Sequence, residues 1–388
     1  MEQPQSTISN DIAEAYINAV KKTGFVLENS VANILKKHGW TTISNKYYED
    51  DHSTTVREVD LIAYKIRDTH SFSVCTAIII SCKKSDENAW AFMCREINEN
   101  DPNVDWWPLH IWTNDKIIDY QKNLKRSAKD YHNYMNKAGV DEILRMPEVD
   151  VFAFQELSKA TKPKTGGTTN FTSSPKNDTA IFNSITSLMK AQAYEIGALT
   201  ARKTLPYVYQ FNLVTVADTE LLRLKFDEEK ISCHQTNNEH YIGRYIINRK
   251  ETFSRIHFIA SDSLEDQIVN YNKLHDANIT WFTKETDEFY KTIFEENKQK
   301  ISLAILKKSF GSVFSYLAHK ETLNSIEIDD VSLRYDNEKE ILKILINASE
   351  EDIIFLNRSE DMNDYVKREL KINFRYQGKF RFEQLIVF

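Results

Sequence analysis

Cysteine is scarce, and what there is forms no ligand pattern. The four, Cys75, Cys82, Cys94 and Cys233, include no C-x-x-C pair and have no nearby H-x₃₋₅-H, which excludes a zinc-finger type of site and a disulfide framework. No excess of positive charge is present either. With 50 Lys and Arg against 57 Asp and Glu the net charge is −7, so no global field draws the chain to nucleic acid and any such contact needs a local patch. No apolar run approaches the length of a membrane span, and the opening M-E-Q-P-Q-S-T-I-S-N lacks a basic-then-apolar leader pattern. The expectation is a reduced, cytoplasmic protein without membrane association. The G-G-T-T at 166–169 is not a phosphate-binding loop, because no G-x₄-G-K-[ST] follows a strand. What the sequence does have is apolar mass: 41% of 388 residues are hydrophobic and 12% aromatic, enough for a sizeable core in two domains or one elaborated domain.

The most informative stretch runs over 56–85: V-R-E-V-D-L-I-A-Y-K and, after a polar gap, F-S-V-C-T-A-I-I-I-S-C-K-K-S. It reads as two adjacent strands. In the first, alternation puts Val59, Leu61 and Ala63 on one face and Glu58, Asp60, Ile62 and Tyr64 on the other, so Asp60 sits among buried neighbours. In the second, Ala77, Ile79, Ser81 and Lys83 share a face, and β-branched density favours a central strand. Lys83 emerges where that apolar run ends. An aspartate and a lysine at the ends of buried strands are costly unless they meet each other, a metal or a charged ligand. Cys82 faces away from Ser81 and Lys83 and reads as a small buried hydrophobe, not a nucleophile. Upstream, in G-F-V-L-E-N-S-V-A-N-I-L-K-K-H-G-W, Glu28 precedes Val31 and Leu35 at helical spacing, which puts its carboxylate on or beside the apolar face. That is an unusual place for a glutamate without a function.

A helix glutamate, a strand ending in R-E-V-D and an apolar strand running into C-K-K-S together resemble the PD-(D/E)xK, or restriction-endonuclease-like, nuclease superfamily. The A-W-A-F at 89–92 also resembles a P-W-x-F stretch of some bacterial members. On that likeness Glu28 matches the helix acid, Asp60 the motif aspartate and Lys83 the motif lysine, and Ser81 stands where the family has Glu or Asp. The resemblance implies a core of helix, three-stranded meander, helix and strand. It also implies Mg²⁺ or Mn²⁺ held by Asp60, Glu28 and the carbonyl of Cys82, with Lys83 orienting a water or stabilising charge. Ser81 removes one negative charge, so Glu58 and Glu96 are carried as substitute acids. The implied function is hydrolysis of phosphodiester bonds, in DNA, in restriction or phage defence. The alternative is a nuclease-like module that has lost a ligand and binds nucleic acid or a protein partner.

Along the rest of the chain, two helices parted near Gly24 lead into a strand at W-T-T-I-S-N-K-Y-Y and a polar turn at E-D-D-H-S-T. The stretch 86–177 reads as an insertion. It carries Trp106, Trp107 and Trp112 as core residues. It also carries one helix over K-I-I-D-Y-Q-K-N-L-K-R-S-A-K-D-Y-H-N-Y-M-N-K. Lys122, Lys125, Arg126 and Lys129 beside Tyr120, Tyr131 and Tyr134 can serve phosphates and bases. The commoner use is a solvated basic face with inward aromatics. Residues 159–177, rich in Lys, Thr, Ser, Gly and Pro, read as a mobile loop. Order returns at Asp178, an N-cap by type, with a helix and the β-prone L-P-Y-V-Y-Q-F-N-L-V-T-V-A-D, then shorter strands at L-L-R-L-K-F and Y-I-G-R-Y-I-I-N. The fold class expected is therefore α/β. It comprises a nuclease-like domain over 1–280 (core 10–85 and 178–275) and, beyond a long helix after Trp281, a small α+β module over 281–388. That module suits a partner, a target or another copy of the chain.

Overall fold

The computed structural model describes residues 9–50, 55–162, 171–203, 205–228, 230–326 and 331–385. The tip of the expected loop at 163–170, most of the polar turn at 51–54 and the start of the strand expected before Val331, at 327–330, lie outside them. The chain divides into two compact units, Met1–Phe282 and Thr283–Phe388, with the division inside a helix.

Unit 1 begins with helices α1 (Asn10–Lys21) and α2 (Phe25–Lys37), separated at Gly24. The antiparallel meander β1 (Thr41–Glu49), β2 (Val56–Asp68) and β3 (Ser73–Lys84) follows. Gly39 ends the helical segment with φ 78°, a left-handed conformation that glycine adopts without a steric cost. The next elements are β4 (Asn88–Arg95), β5 (His110–Thr113), α3 (Lys116–Lys122), α4 (Ser127–Lys137), α5 (Asp141–Leu144) and β6 (Asp150–Ser158). Then come α6 (Thr179–Arg202), β7 (Tyr207–Asp218), β8 (Leu221–Asp227), β9 (Lys230–Thr236), β10 (Asn238–Ile247), β11 (Lys250–Ala260) and α7 (Leu264–Lys291).

The main sheet is mixed, in the order β1-β2-β3-β7-β11-β10, and β7 runs parallel to both β3 and β11. Its central strands are apolar on both faces because both faces are covered. On β3, Ile78, Ile80 and Cys82 pack with Leu27, Val31 and Leu35 of α2 and with Leu264, Ile268 and Leu274 of α7. Ala77 and Ile79 point the other way, toward Ile181, Ile185 and Leu188 of α6 and toward Trp90 and Phe92 of β4.

The structure departs from the sequence reading at several points. The stretch 86–177 is not set apart: β4 and β6 join β8 and β9 in a four-stranded sheet, and β5 pairs with the first half of β7, on the edge whose second half pairs with β11. The strands β9 and β11 carried no clear local signal. The basic helix is two helices. Asn123 donates through its side chain to the Asp119 carbonyl and Ser127 through its hydroxyl to the Lys122 carbonyl, side-chain bonds that compete with a continuous helix. Its aromatics do turn inward: Tyr131 is fully buried and Tyr134 packs on Trp281. Trp106 and Trp112 are buried, while Trp107 is half-buried under Lys129. Asp178 stands at the N-cap of α6 without a side-chain capping bond. Finally, Val59 packs with Ile62 and not with Leu61 and Ala63. Asn45, opposite Asp60, takes φ 53°, and this local irregularity shifts the alternation of β2.

Unit 2 continues after α7 with a 3₁₀ turn at Glu296–Lys298, so the long helix expected after Trp281 is the end of α7 followed by α8 (Gln299–Thr322). It is completed by β12 (Val331–Asp336), β13 (Ile341–Ile346), α9 (Glu350–Arg358), α10 (Glu360–Phe374) and β14 (Lys379–Gln384). The strands form one sheet in which β13 pairs antiparallel with β12 and parallel with β14. A cavity of about 720 Å³ in this unit is lined by aromatic side chains, Phe294, Tyr335 and Tyr376 among them. No residue of the acid cluster described below lines it.

Candidate functional site

The β2/β3 ladder reaches Leu61↔Ile80 and stops, so Asp60 and Ser81 lie one step past the last paired residues. The Asp60 carboxylate fills the place of the lost ladder. Its Oδ2 accepts the Cys82 N–H at 2.6 Å, the Ser81 hydroxyl at 3.2 Å and the Lys83 ammonium at 3.4 Å. Lys83 also donates to the Cys82 carbonyl at 3.3 Å. That bond uses one of the two lone pairs of the oxygen expected to face a metal. The other carboxylate oxygen, Asp60 Oδ1, takes no hydrogen bond among the described residues. Asp60 and Lys83 are 23% and 31% exposed in their side chains, open enough for a ligand and closed enough for charge to count.

Glu28 lies in the first turn of α2, beside the apolar face that packs on β3. Burial pushes its carboxyl above the usual range, the negative charges of Asp60 and Glu58 add to the shift, and Lys83 opposes it. Three acids therefore share a field that one lysine does not cancel. Glu28 has no hydrogen-bond or ion-pair partner among the described residues. Glu58 accepts a bond from Asn45 on β1 and is exposed. Glu96 lies exposed beyond the end of β4, without a hydrogen bond or ion pair to the cluster. The Cys82 thiol is pushed well up by burial, with Asp60 and Glu28 adding to the effect, so it stays protonated as a buried hydrophobe would.

Sequence reasoning missed the neighbours on the next strand. The end of β7 brings Asp218 beside β3, where Lys84 contacts Asp86 at 3.5 Å and Asp218 at 3.6 Å. Lys84 and Asp218 line a cavity of about 260 Å³ with Ser30 of α2 and with Ser261 and Asp262, which precede α7. The cavity lies at the carboxyl ends of the parallel strands β3, β7 and β11, where open α/β sheets commonly bind ligands. The one available signal was the A-D that closes the β-prone run before Thr219.

The donors of the cluster are oxygens, which suits a hard cation such as Mg²⁺ that keeps several waters. Among the described residues no three His, Cys, Asp or Glu side chains form a group able to hold a metal ion by themselves. Ser81 is the local reason, since it puts a hydroxyl where the resemblance expects a third side-chain acid. Compared with family models, with curated proteins and with solved structures, the chain matches none.

Proposed function

We propose that the chain is a metal-dependent nuclease that hydrolyses phosphodiester bonds of DNA, using Mg²⁺ or Mn²⁺, on the restriction-endonuclease-like plan its motifs resemble. The observation that carries this reading is the Asp60 carboxylate at the parting of β2 and β3, with Lys83 on one of its oxygens and the unpaired Glu28 in its field. The order of α2, the β1–β3 meander, α6 and a β7 parallel to β3 supports it, being the order the resemblance implies. A role in restriction or phage defence rests on the resemblance alone.

In this reading Asp60, through Oδ1, and Glu28 are the side-chain donors to the cation. When bound, the cation supplies positive charge against the phosphate oxygens. Lys83 is anchored by Asp60 and the Cys82 carbonyl, and it has a remaining N–H for an attacking water or a phosphate oxygen. Ser81 is a positioning residue whose hydroxyl helps to fix the Asp60 carboxylate.

Ser81 also favours a second reading, a catalytically degenerate nuclease-like module that binds nucleic acid or a protein partner. Its hydroxyl donates to Asp60 and adds no charge for a metal. The discriminating experiment is cleavage of supercoiled plasmid with Mg²⁺ or Mn²⁺ by the parent protein, Asp60→Ala and Lys83→Ala. The nuclease reading expects nicked or linear product from the parent and a loss of at least about a hundredfold in each variant, the scale on which removing a charge-stabilising group acts. If the parent is inactive and Ser81→Glu cleaves, the second reading holds.

A further inference from the structure

Elsewhere in unit 1 the main sheet encloses charge of the opposite sign. Along the free edge of β7, β5 meets it at His110↔Phe211 and β11 at Ile256↔Leu213, so Asn212 faces the junction of the two strands. A cavity of about 20 Å³ lies there, with His110, Gln192, Asn212, Arg255, His257 and Tyr271 among its lining residues. The guanidinium of Arg255 donates through Nη1 to the carbonyls of Ile143 and Arg145, while its Nε and Nη2 are sealed from solvent without a partner. Gln192 accepts from the Ser254 hydroxyl at 3.2 Å, which leaves its buried Nε2 donor unused. His257 engages the Tyr271 hydroxyl through Nδ1 at 3.2 Å, and its Nε2 is buried and unpartnered. Burial holds the His257 imidazole down to about 3, so the ring is neutral. With Tyr271 donating to Nδ1, the ring proton sits on Nε2.

These donors surround a cation that has no ion pair among the described residues. Burial lowers the Arg255 guanidinium to about 10, opposed by Tyr271 and Asp105, and it remains charged at neutral pH. A buried charge with no counter-charge is strongly destabilising, and a buried donor without an acceptor adds to the cost. A water-sized particle needs roughly 10–15 Å³ of such space, so a cavity of about 20 Å³ admits one particle of that size and no phosphate, sulfate or carboxylate. A water would accept hydrogen bonds but leave the charge uncompensated.

We infer that this cavity is a site for a single monoatomic anion, chloride at cellular salt, held by Arg255 Nε and Nη2, Gln192 Nε2 and His257 Nε2. Its walls come from residues 108–110 and 143–144 on one side and from α6, β7, β11 and α7 on the other. The anion therefore pins the stretch between β3 and α6 to the sheet.

The test is thermal unfolding of the full chain in sodium gluconate, whose anion is too large for the cavity, against sodium chloride and sodium bromide at equal ionic strength. Ligand binding to the folded state alone raises the midpoint in a saturable, concentration-dependent way. A rise of several degrees in both halides is expected. It should be absent in Arg255→Met, and the halide concentration giving half of the rise should be about tenfold higher in Gln192→Leu, which keeps the charge. Equal midpoints in gluconate and chloride would overturn the inference and assign the cavity to water. A halide response that Gln192→Leu leaves unchanged would also overturn it, whether or not Arg255→Met folds.

Discussion

The Asp60 cluster and the Arg255 cavity belong to one sheet and are unbalanced in opposite senses. At Asp60 negative charge exceeds positive, and the groups are partly open to solvent. At Arg255 positive charge has no opposing carboxylate, and the unused donors are sealed. An open surplus can exchange its counter-ion and admit a substrate, so it suits chemistry. A sealed surplus can only keep its counter-ion, so it suits structure. The difference in access, more than the difference in sign, separates the two.

Acid should break this symmetry with the largest effect on stability. Burial, reinforced by Arg255, holds His132 down to about 4 and His257 down to about 3. Both begin near 6.5 when unfolded, so the unfolded chain takes up protons that the folded chain refuses. Stability is fully present above about pH 6.5 and is eroded as pH falls from there through about 4, at roughly 1.4 kcal/mol per pH unit for each ring. His240, stacked on His257 at 4.2 Å, is also held down by burial and moves in the same direction. Denaturant midpoints of unit 1 should therefore drop steeply between pH 6 and 4, read by tryptophan fluorescence. A flat profile there would mean that these rings are not buried beside a charged Arg255.

The next effect falls on the acid cluster. Ser81→Glu restores the acid that the resemblance expects, and it does so beside carboxylates that already repel. Without metal the variant should unfold more readily than the parent. With Mn²⁺ it should bind about tenfold more tightly by titration calorimetry, since an added carboxylate supplies both a ligand and charge. Equal affinity in parent and variant would place the cation, if there is one, away from position 81.

How much of this was open to the sequence depends on range. The break at Gly24, the β1–β3 meander, the burial of Cys82 and the succession of α6 and β7 follow from local periodicity and turn residues, which the chain carries within a few positions. The sharing of one β7 edge by β5 and β11 does not, because strand partners far apart in sequence are chosen by sheet closure and packing. Asp218 was missed for the same reason, since only the parallel pairing of β7 with β3 brings it beside Lys84. Arg255 left a trace, standing two residues before His257 on one face of a strand that ends in F-I-A. That pattern alone does not reveal that no carboxylate faces it. The break in the basic helix at Asn123 was legible in principle, as Asn and Ser side chains favour local backbone bonds.

The smallest effect gives the finest test of the comparison. Burial first, and then Asp60 and Glu58, raise the Glu28 carboxyl, so its ionised form is disfavoured in the folded chain. For an acid shifted upward, stability is fully present below the unfolded value near 4.5 and is lost as pH rises through the folded value. Glu28→Gln should accordingly raise the melting temperature slightly at pH 7 without metal, and the advantage should vanish below about pH 4.5. Added Mg²⁺ should reverse the order of the two proteins, because the parent keeps a ligand that the variant lacks and binding stabilises only the folded state that can bind. If Mg²⁺ stabilises both equally, Glu28 is a strained acid without a cation. The two charged regions would then differ in kind, one holding its counter-ion and the other holding none.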